Sequence, residues 1–117
     1  GYIEKTEKYY KRSKVAVMPS RNEGLGMFML EAMSCKCVPV VSNVGNVTEA
    51  AWDGINSFVV DDYLDIETFV KNINILLSNR NLREKMAAAG RDTVEKKYSL
   101  KPQIKKAKKI IDYGEKL

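Results

Sequence analysis

Glu23, Gly24, Gly26 and Glu31 lie close together in the sequence, in an order that suits one kind of ligand. Glycines allow a close approach of the backbone, and a helix that starts just after them offers free N–H groups to an anion such as a diphosphate. Glu31 would lie about five residues into that helix, roughly 7 Å from its start, where a carboxylate can accept hydrogen bonds from a diol such as ribose. Glu23 would lie on the other side of the phosphate. A diphosphate between two polyhydroxyl groups, each met by a carboxylate, describes a nucleotide sugar.

Each of these features is a weak signal when taken alone. A Gly-x-Gly pair after a strand occurs in many proteins without a bound phosphate, and a single loop or helix glutamate is usually solvated. Two carboxylates also form the acid–base pair of glycoside hydrolases. We reject that alternative because Glu23 is predicted to lie in a loop and Glu31 along a helix, with a pocket suited to a phosphate between them. The joint placement favours the nucleotide-sugar hypothesis.

The elements that must position these residues alternate between strand and helix, which is typical of a parallel α/β sheet. A loop after a buried parallel strand emerges at the carboxyl edge of the sheet, where open α/β sheets bind ligands. The glycines and glutamates follow the first such strand, which ends before Pro19. In chain order, the pattern predicts a strand over 15–18, a helix over 27–35, a strand over 38–41, a short helix over 47–52 and a strand over 58–60.

Three further helices are predicted after the third strand. Apolar residues at a 3.6-residue period predict a helix over 66–77, with Asp65 as its N-cap and a hydrophobic staple between Leu64 and Phe69. Asn81 and Glu84 resemble a capping arrangement for a helix that runs to about residue 97. Ser99 is expected to cap a last helix at about 100–113. A polar segment over 4–12 is compatible with a helix that turns Tyr9 and Tyr10 inward.

Composition excludes several function classes. The chain has no histidine, and its only cysteines, Cys35 and Cys37, form a C-x-C pair that cannot complete a tetrahedral zinc site. We expect both to be reduced, largely buried thiols, and we expect no metal site. No apolar run approaches the roughly 20 residues that span a bilayer, and the N-terminus lacks a signal-peptide pattern. These features predict a cytoplasmic protein.

The net charge of +5 is concentrated at the end of the chain. Residues 1–79 carry 8 basic and 10 acidic side chains, for a charge of −2, whereas residues 80–117 carry 12 basic and 5 acidic side chains, for +7. The basic, amphipathic segment at 100–113 has two interpretations: peripheral contact with anionic lipid at the inner face of the membrane, or a solvated face whose apolar side packs on another domain. We favour the second. Nucleic-acid binding is not expected, because aromatic residues do not alternate with the lysines.

The stretch Pro-Ser-x-x-Glu-Gly-x-Gly, followed by Glu-Ala-Met, resembles the donor-site signature of family 4 retaining glycosyltransferases, which have the two-domain GT-B fold. The resemblance covers nearly all of residues 13–113. It implies a three-layer α/β/α Rossmann-like parallel sheet, the distal half of a GT-B C-terminal domain, with residues 1–117 forming one partial domain. The matching positions further along are 37–42, Val44, Gly45, Glu49, 53–56, 82–86 and Gly90.

The resemblance also implies roles for individual residues. Glu23 would act at the catalytic centre by contacting the hydroxyls of the transferred sugar, and Glu31 would bind the ribose. The donor would be a UDP-, GDP- or ADP-linked sugar, transferred to an acceptor hydroxyl with retention, with no cofactor and no obligatory metal. Besides Glu23, the residues that would cradle the donor sugar and diphosphate are Gly24, Leu25, Gly26, Met27 and Phe28.

The sequence departs from the family pattern at three loop positions. Lys36 stands where a glycine is frequent at a helix end, a position that favours a left-handed backbone. Asn46 and Ser57 replace two other frequent glycines, and asparagine tolerates a positive φ. Arg21 is the nearby cation, and we interpret it as a solvent-facing loop residue rather than a phosphate ligand. The basic residues of earlier strands and the N-terminal acceptor domain are missing from this chain, so we expect it to be inactive by itself.

A second hypothesis treats the chain as a non-catalytic binding or assembly module that pairs with another chain. In a doubly wound sheet of order 3-2-1-4-5-6, the three predicted strands would be the fourth, fifth and sixth. The strand over 15–18 would then lie at an open edge, and we predict self-association through it.

Overall fold

The computed structural model describes residues 14–21 and 26–98. The predicted strands are confirmed as β1 (Val15–Met18), β2 (Val38–Ser42) and β3 (Phe58–Val60). The α-helices are α1 (Gly26–Ser34), α2 (Ile66–Ser78) and α3 (Arg80–Tyr98), and a 3-10 helix covers Val47–Glu49. Several predictions fall outside the described residues: the segment over 4–12, the loop residues Glu23, Gly24 and Leu25, the Ser99 cap and the basic helix at 100–113.

The three strands form one parallel sheet in the order β1-β2-β3. Val15 pairs with Val38 at one end of the first ladder, and Ser42 pairs with Val60 at one end of the second. Every residue of β2 is buried, because helices cover both faces of this central strand. The predicted α/β fold with a Rossmann-like parallel sheet is therefore confirmed.

Helices form a core on each face of the sheet. On one face, α1 packs against Val41, the segment 47–51 and Val94 of α3. On the other, α2 and the first half of α3 pack against β2 and β3 through a cluster of Val38, Val40, Val60, Phe69, Leu76, Met86 and Ala87. Because α3 contributes to both clusters, it joins the two layers.

The cap of α2 forms as predicted. The Asp65 carboxylate accepts a hydrogen bond from the Thr68 backbone N–H at 3.1 Å and another from the Thr68 hydroxyl. Both bonds lower the pKa of the Asp65 carboxyl group, and the bond from the Thr68 hydroxyl has the larger effect. The staple contributes little burial, since Leu64 remains 66 % exposed while Phe69 is 4 % exposed.

The cap predicted for α3 is wrong by two residues. The Asn79 side chain, not that of Asn81, accepts from an N–H of the first turn, that of Leu82 at 3.0 Å. Asn79 is the single residue between α2 and α3, and its extended backbone serves as C-cap of one and start of the other. Glu84 pairs instead with Arg80 at 2.9 Å on the exposed surface.

Lys36 adopts the left-handed backbone that its position predicted, with φ of 60°. The Lys36 N–H donates to Met33 O at 3.1 Å and the Cys37 N–H donates to Ala32 O at 2.9 Å. These two bonds are the Schellman pattern that usually places glycine at this position. Asn46 has a φ of −101° and needs no such tolerance, because Gly45 takes the positive φ of that loop.

The helix predicted over 47–52 is shorter than expected. It is a 3-10 helix of three residues, and the Trp52 N–H donates to the side chain of Asn56 at 2.8 Å instead of continuing the helix. Cys37 is buried, Cys35 is partly exposed, and both are reduced. Burial raises the pKa of Cys37 to about 11, so the thiol is protonated at neutral pH. Within the described residues no helix is long and apolar enough to cross a membrane.

Candidate functional site

The carboxyl edge of the sheet brings the loops after the three strands together. The Ser20 N–H, in the loop after β1, donates to the Ser42 hydroxyl at 2.8 Å. Ser42 ends β2 and is 0 % exposed, so this bond holds the start of the first loop against the end of the central strand.

The loops after β2 and β3 are joined in the same way. The Asn43 N–H donates to Val60 O at 2.8 Å, and its side-chain amide donates to Asp61 at 3.3 Å. A row of polar residues thus lies along the edge, at the place where parallel α/β sheets bind ligands. These residues are Ser20, Ser42, Asn43 and Asp61.

Helix α1 begins at this edge with Gly26. A Cβ atom added to Gly26 would meet no atom of the described residues within 4 Å, so packing against them does not require glycine there. No acidic side chain lies in the first turn of α1, where one would repel an anion at the helix N-terminus. Met27 is 38 % and Phe28 is 46 % exposed, whereas Met29 and Leu30 are buried in the core. Two side chains of the first turn of α1 are therefore accessible at the surface.

Glu31 follows on the same helix and is half-buried. Burial raises the pKa of its carboxyl group above the usual value. Among the described residues, no hydrogen bond or ion pair reaches the Glu31 side chain. A partly desolvated carboxylate without such a partner is unfavourable in the unliganded protein, and donors from a ligand would relieve that cost.

The structure places only part of the predicted donor set. Gly26, Met27, Phe28 and Glu31 lie on α1, next to the carboxyl edge, while Glu23, Gly24 and Leu25 lie outside the described residues. Arg21 is exposed, in agreement with its interpretation as a solvent-facing residue. Across residues 14–21 and 26–98, no group of three His, Cys, Asp or Glu side chains could hold a metal ion.

Sequence reasoning missed the polar residues at the ends of β2 and β3. The prediction ended the second strand at Val41, whereas β2 continues to Ser42. The available signal was the polar pair Ser42-Asn43 directly after a buried apolar run, together with Asp61 after the third strand.

Comparison with known proteins identifies the family of the chain. The family described as "Glycosyl transferases group 1" matches residues 1–93 of the chain, a range that holds all three strands and both candidate glutamates. The chain belongs to the group 1 glycosyltransferases. Its three-stranded sheet also resembles the crystal structure of the C-terminal domain of a group 1 family protein, LpcC, from Francisella tularensis. The TM-score is 0.73 at 30 % identity, and the match covers 80 % of this chain and 47 % of that one.

Relatives of this group 1 chain carry different names. The chain is 29 % identical to the D-inositol 3-phosphate glycosyltransferase of Thermobifida fusca over 82 residues, and the match covers 70 % of the chain and 19 % of that protein. It is 29 % identical to the capsular polysaccharide biosynthesis glycosyltransferase CapM of Staphylococcus aureus, covering 78 % of the chain and 24 % of CapM. For the sulfoquinovosyl transferase SQD2 of Arabidopsis thaliana, the identity is 33 %, covering 74 % of the chain and 18 % of SQD2. The chain therefore spans about a fifth of the length of these relatives.

Proposed function

We propose that this chain is the distal part of the donor-binding domain of a longer retaining glycosyltransferase. It would bind a nucleotide-diphosphate sugar at the carboxyl edge of the sheet, and the complete enzyme would transfer the sugar to an acceptor hydroxyl. The observation that carries the proposal is the position of Glu31: a half-buried carboxylate on the helix that begins at this edge, within a chain of the group 1 family. The non-catalytic binding module is the weaker hypothesis, since no observation favours it.

In the proposed complex, the diphosphate lies at the N-terminus of α1, where backbone N–H groups and the helix dipole offset its charge. Glu31 accepts hydrogen bonds from the ribose diol, and Glu23 contacts the hydroxyls of the transferred sugar. Loss of the diphosphate from the anomeric carbon also requires positive charge, which other parts of the complete protein would supply. No metal ion is assigned a part in this scheme.

The acceptor is not assigned. The relatives' names point to inositol phosphate, capsular polysaccharide and sulfoquinovosyl chemistry, and the chain matches only 19 %, 24 % and 18 % of the length of these proteins. A cytoplasmic location stays a prediction, and so does packing of the basic segment 100–113 on another domain, with contact with anionic lipid as the alternative.

The proposal is tested with Glu31→Gln and Glu23→Gln in the complete protein, with the exposed Glu67→Gln of α2 as matched control. Removing the charge of Glu31 should weaken binding of the nucleoside diphosphate and its sugar by about tenfold or more, since hydrogen bonds to charged groups contribute about 1.5–3 kcal/mol. Glu23→Gln should reduce kcat more than nucleoside-diphosphate affinity. Calorimetry with UDP, GDP, ADP and their sugars, together with steady-state kinetics, measures both. Equal loss of nucleoside-diphosphate binding in the two variants would contradict the division of roles.

The raised pKa of Glu31 adds a pH dependence. Because the folded-state pKa lies above the unfolded value, the stabilisation from this group is complete below the unfolded pKa and is lost as the pH rises through the folded pKa. At neutral pH, Glu31→Gln should therefore raise the stability of the unliganded protein while weakening donor binding. Donor affinity of the unaltered protein should fall as Glu31 becomes protonated, and that dependence should vanish in Glu31→Gln. A loss of stability in Glu31→Gln at neutral pH would contradict this interpretation of Glu31.

A further inference from the structure

The last turn of α3 reaches back to the segment that follows β2. The Lys97 ammonium donates a hydrogen bond to the backbone carbonyl of Glu49 at 2.6 Å, across 48 positions of sequence. The same ammonium lies 6.0 Å from the centre of the Trp52 ring, at the outer limit of a cation–π contact. The Trp52 side chain is 41 % exposed, so the contact lies at the surface.

The carbonyl of Glu49 ends a short helix that has no side-chain cap at its start. The 3-10 helix Val47–Glu49 has three residues, and its N-cap Asn46 makes no side-chain capping hydrogen bond. The last carbonyls of a helix have no partner inside it, and a basic side chain commonly satisfies them. Here that side chain comes from α3, where a lysine in the last turn is also favourable for the dipole of α3 itself.

A second contact of α3 with the same segment lies one turn earlier. Thr93 accepts a hydrogen bond at 3.2 Å from the Asn56 side chain, which also donates to Ala50 O at 2.9 Å. Thr93 and Lys97 are four residues apart and so lie on one face of α3. Besides the apolar cluster that Val94 of α3 shares with Val47, Ala50 and Ala51, two polar contacts attach the segment 47–57 to α3: a buried one through Asn56 and Thr93, and an exposed one through Lys97.

The exposed point is the one nearer to the candidate site along the chain. The 3-10 helix directly follows the loop 43–46, which emerges from β2 at the carboxyl edge. That loop is held at its other end by the bonds of Asn43 to Val60 and Asp61. Release of the Glu49 carbonyl would remove this polar contact with α3, while the buried Val47 still holds that side of the loop in the core.

We propose that Lys97 is a positioning residue of the donor site: through the Glu49 carbonyl and the Trp52 ring, it holds the 43–49 loop in place at the carboxyl edge. This inference rests on the proposed function. Lys97 touches no part of the proposed donor itself, and its effect passes through the loop. The contacts of Lys97 are exposed, and the buried contact between Asn56 and Thr93 remains when Lys97 is replaced. The replacement should therefore change the order of the 43–49 loop and donor binding more than the global stability of the protein.

The test compares Lys97→Met, which keeps the aliphatic stem, with Lys96→Met in the complete protein. Lys96 is the adjacent residue, exposed and paired within α3 to Asp92 at 3.1 Å, so it controls for the loss of one basic side chain from the last turn. Lys97→Arg retains the charge and the donors. The measurements are hydrogen exchange of the amides over 43–51, steady-state kinetics with the donor and thermal unfolding.

We expect Lys97→Met to raise the donor KM by about fivefold, the size of one net hydrogen bond, with kcat unchanged within about twofold. Exchange over 43–51 should quicken, and the unfolding midpoint should stay close to that of Lys96→Met. Lys97→Arg should restore KM and exchange. Identical KM and exchange in Lys97→Met and Lys96→Met would overturn the inference, as would a loss of kcat and unfolding midpoint with no change in KM.

The exchange measurement separates this inference from the proposed function. If the complete protein binds no nucleotide sugar, the proposed function fails, but the comparison of Lys97→Met with Lys96→Met still decides whether Lys97 holds the loop. Faster exchange only in Lys97→Met would support the positional role, and equal exchange would refute it.

Discussion

Asn56 is the buried polar residue whose removal should affect this fold most. It is 0 % exposed, and its amide group accepts the Trp52 N–H at 2.8 Å and donates to Ala50 O at 2.9 Å and to Thr93 at 3.2 Å. The Ser57 hydroxyl also donates to the Asn56 side-chain oxygen, at 3.1 Å. Asn56→Leu replaces this amide with an apolar group of similar length and leaves its partners inside the protein.

The magnitude follows from which partners are left without a bond. Thr93 keeps the hydrogen bond that its hydroxyl donates to Ala89 O at 2.9 Å, so its loss is small. The partly buried Trp52 N–H loses this side-chain partner, and so do the fully buried Ala50 carbonyl and Ser57 hydroxyl; an unsatisfied buried polar group costs about 1–3 kcal/mol. The two fully buried groups imply a destabilisation of about 4 kcal/mol, a large fraction of the 5–15 kcal/mol that is typical of a folded domain.

Urea unfolding followed by circular dichroism measures this effect. With a slope of about 1.5 kcal/mol per molar urea, 4 kcal/mol lowers the unfolding midpoint by roughly 2–3 M. The matched control is Asn74→Leu, because the Asn74 side chain is exposed on α2, and its midpoint should move little. A shift of Asn56→Leu no larger than that of the control would refute the assignment of Asn56 as an anchor of the 50–57 loop.

Asn56→Asp gives the same argument a pH signature. The introduced carboxyl group can still accept from Trp52, but when ionised it has no proton for Ala50 O and is a buried charge. Its folded-state pKa must therefore lie above the unfolded value of about 3.9, so the stability it allows is present at low pH and is lost as the pH rises through the folded pKa. The destabilisation of Asn56→Asp should be smaller at pH 4 than at pH 7. A pH-independent loss would contradict it.

Two further predictions concern the helix end after α1 and the edge of the sheet. Lys36→Gly should stabilise the protein by about 0.5–1 kcal/mol, because glycine adopts the φ of 60° without the strain of a side chain. Lys36→Ala should change the stability little. Thermal or urea unfolding measures both variants, and equal midpoints for the two would contradict the idea that Lys36 is strained. The described part of the chain leaves β1 with one strand neighbour, and Val17 on it is 43 % exposed, so the isolated 117-residue chain should self-associate through this edge. Val17→Lys should weaken that association in sedimentation equilibrium at micromolar concentration, while Val70→Lys on the exposed face of α2 should not; a monomeric unaltered chain would refute the prediction.

The sequence by itself determined the strands and helices and their order. The apolar runs of β1, β2 and β3, the 3.6-residue period of α2 and the Asp65 cap are properties of neighbouring residues, and each is present in the structure. The left-handed backbone at Lys36 was also predictable, because a helix end imposes it within a few residues. These features depend on local sterics and on the alternation of apolar and polar side chains, which a single sequence displays directly.

The tertiary structure alone decided which distant residues meet. Asn79 rather than Asn81 caps α3, since only the position where α2 ends fixes which residue lies between the helices. The helix after β2 ends at Glu49, and beyond it the Trp52 N–H bonds to the Asn56 side chain instead of to a helical carbonyl. The contact of Lys97 with Glu49 joins residues 48 positions apart and has no local signature. Contacts of this kind depend on how the sheet brings separate segments together, and a sequence pattern records only the periodicity of each segment.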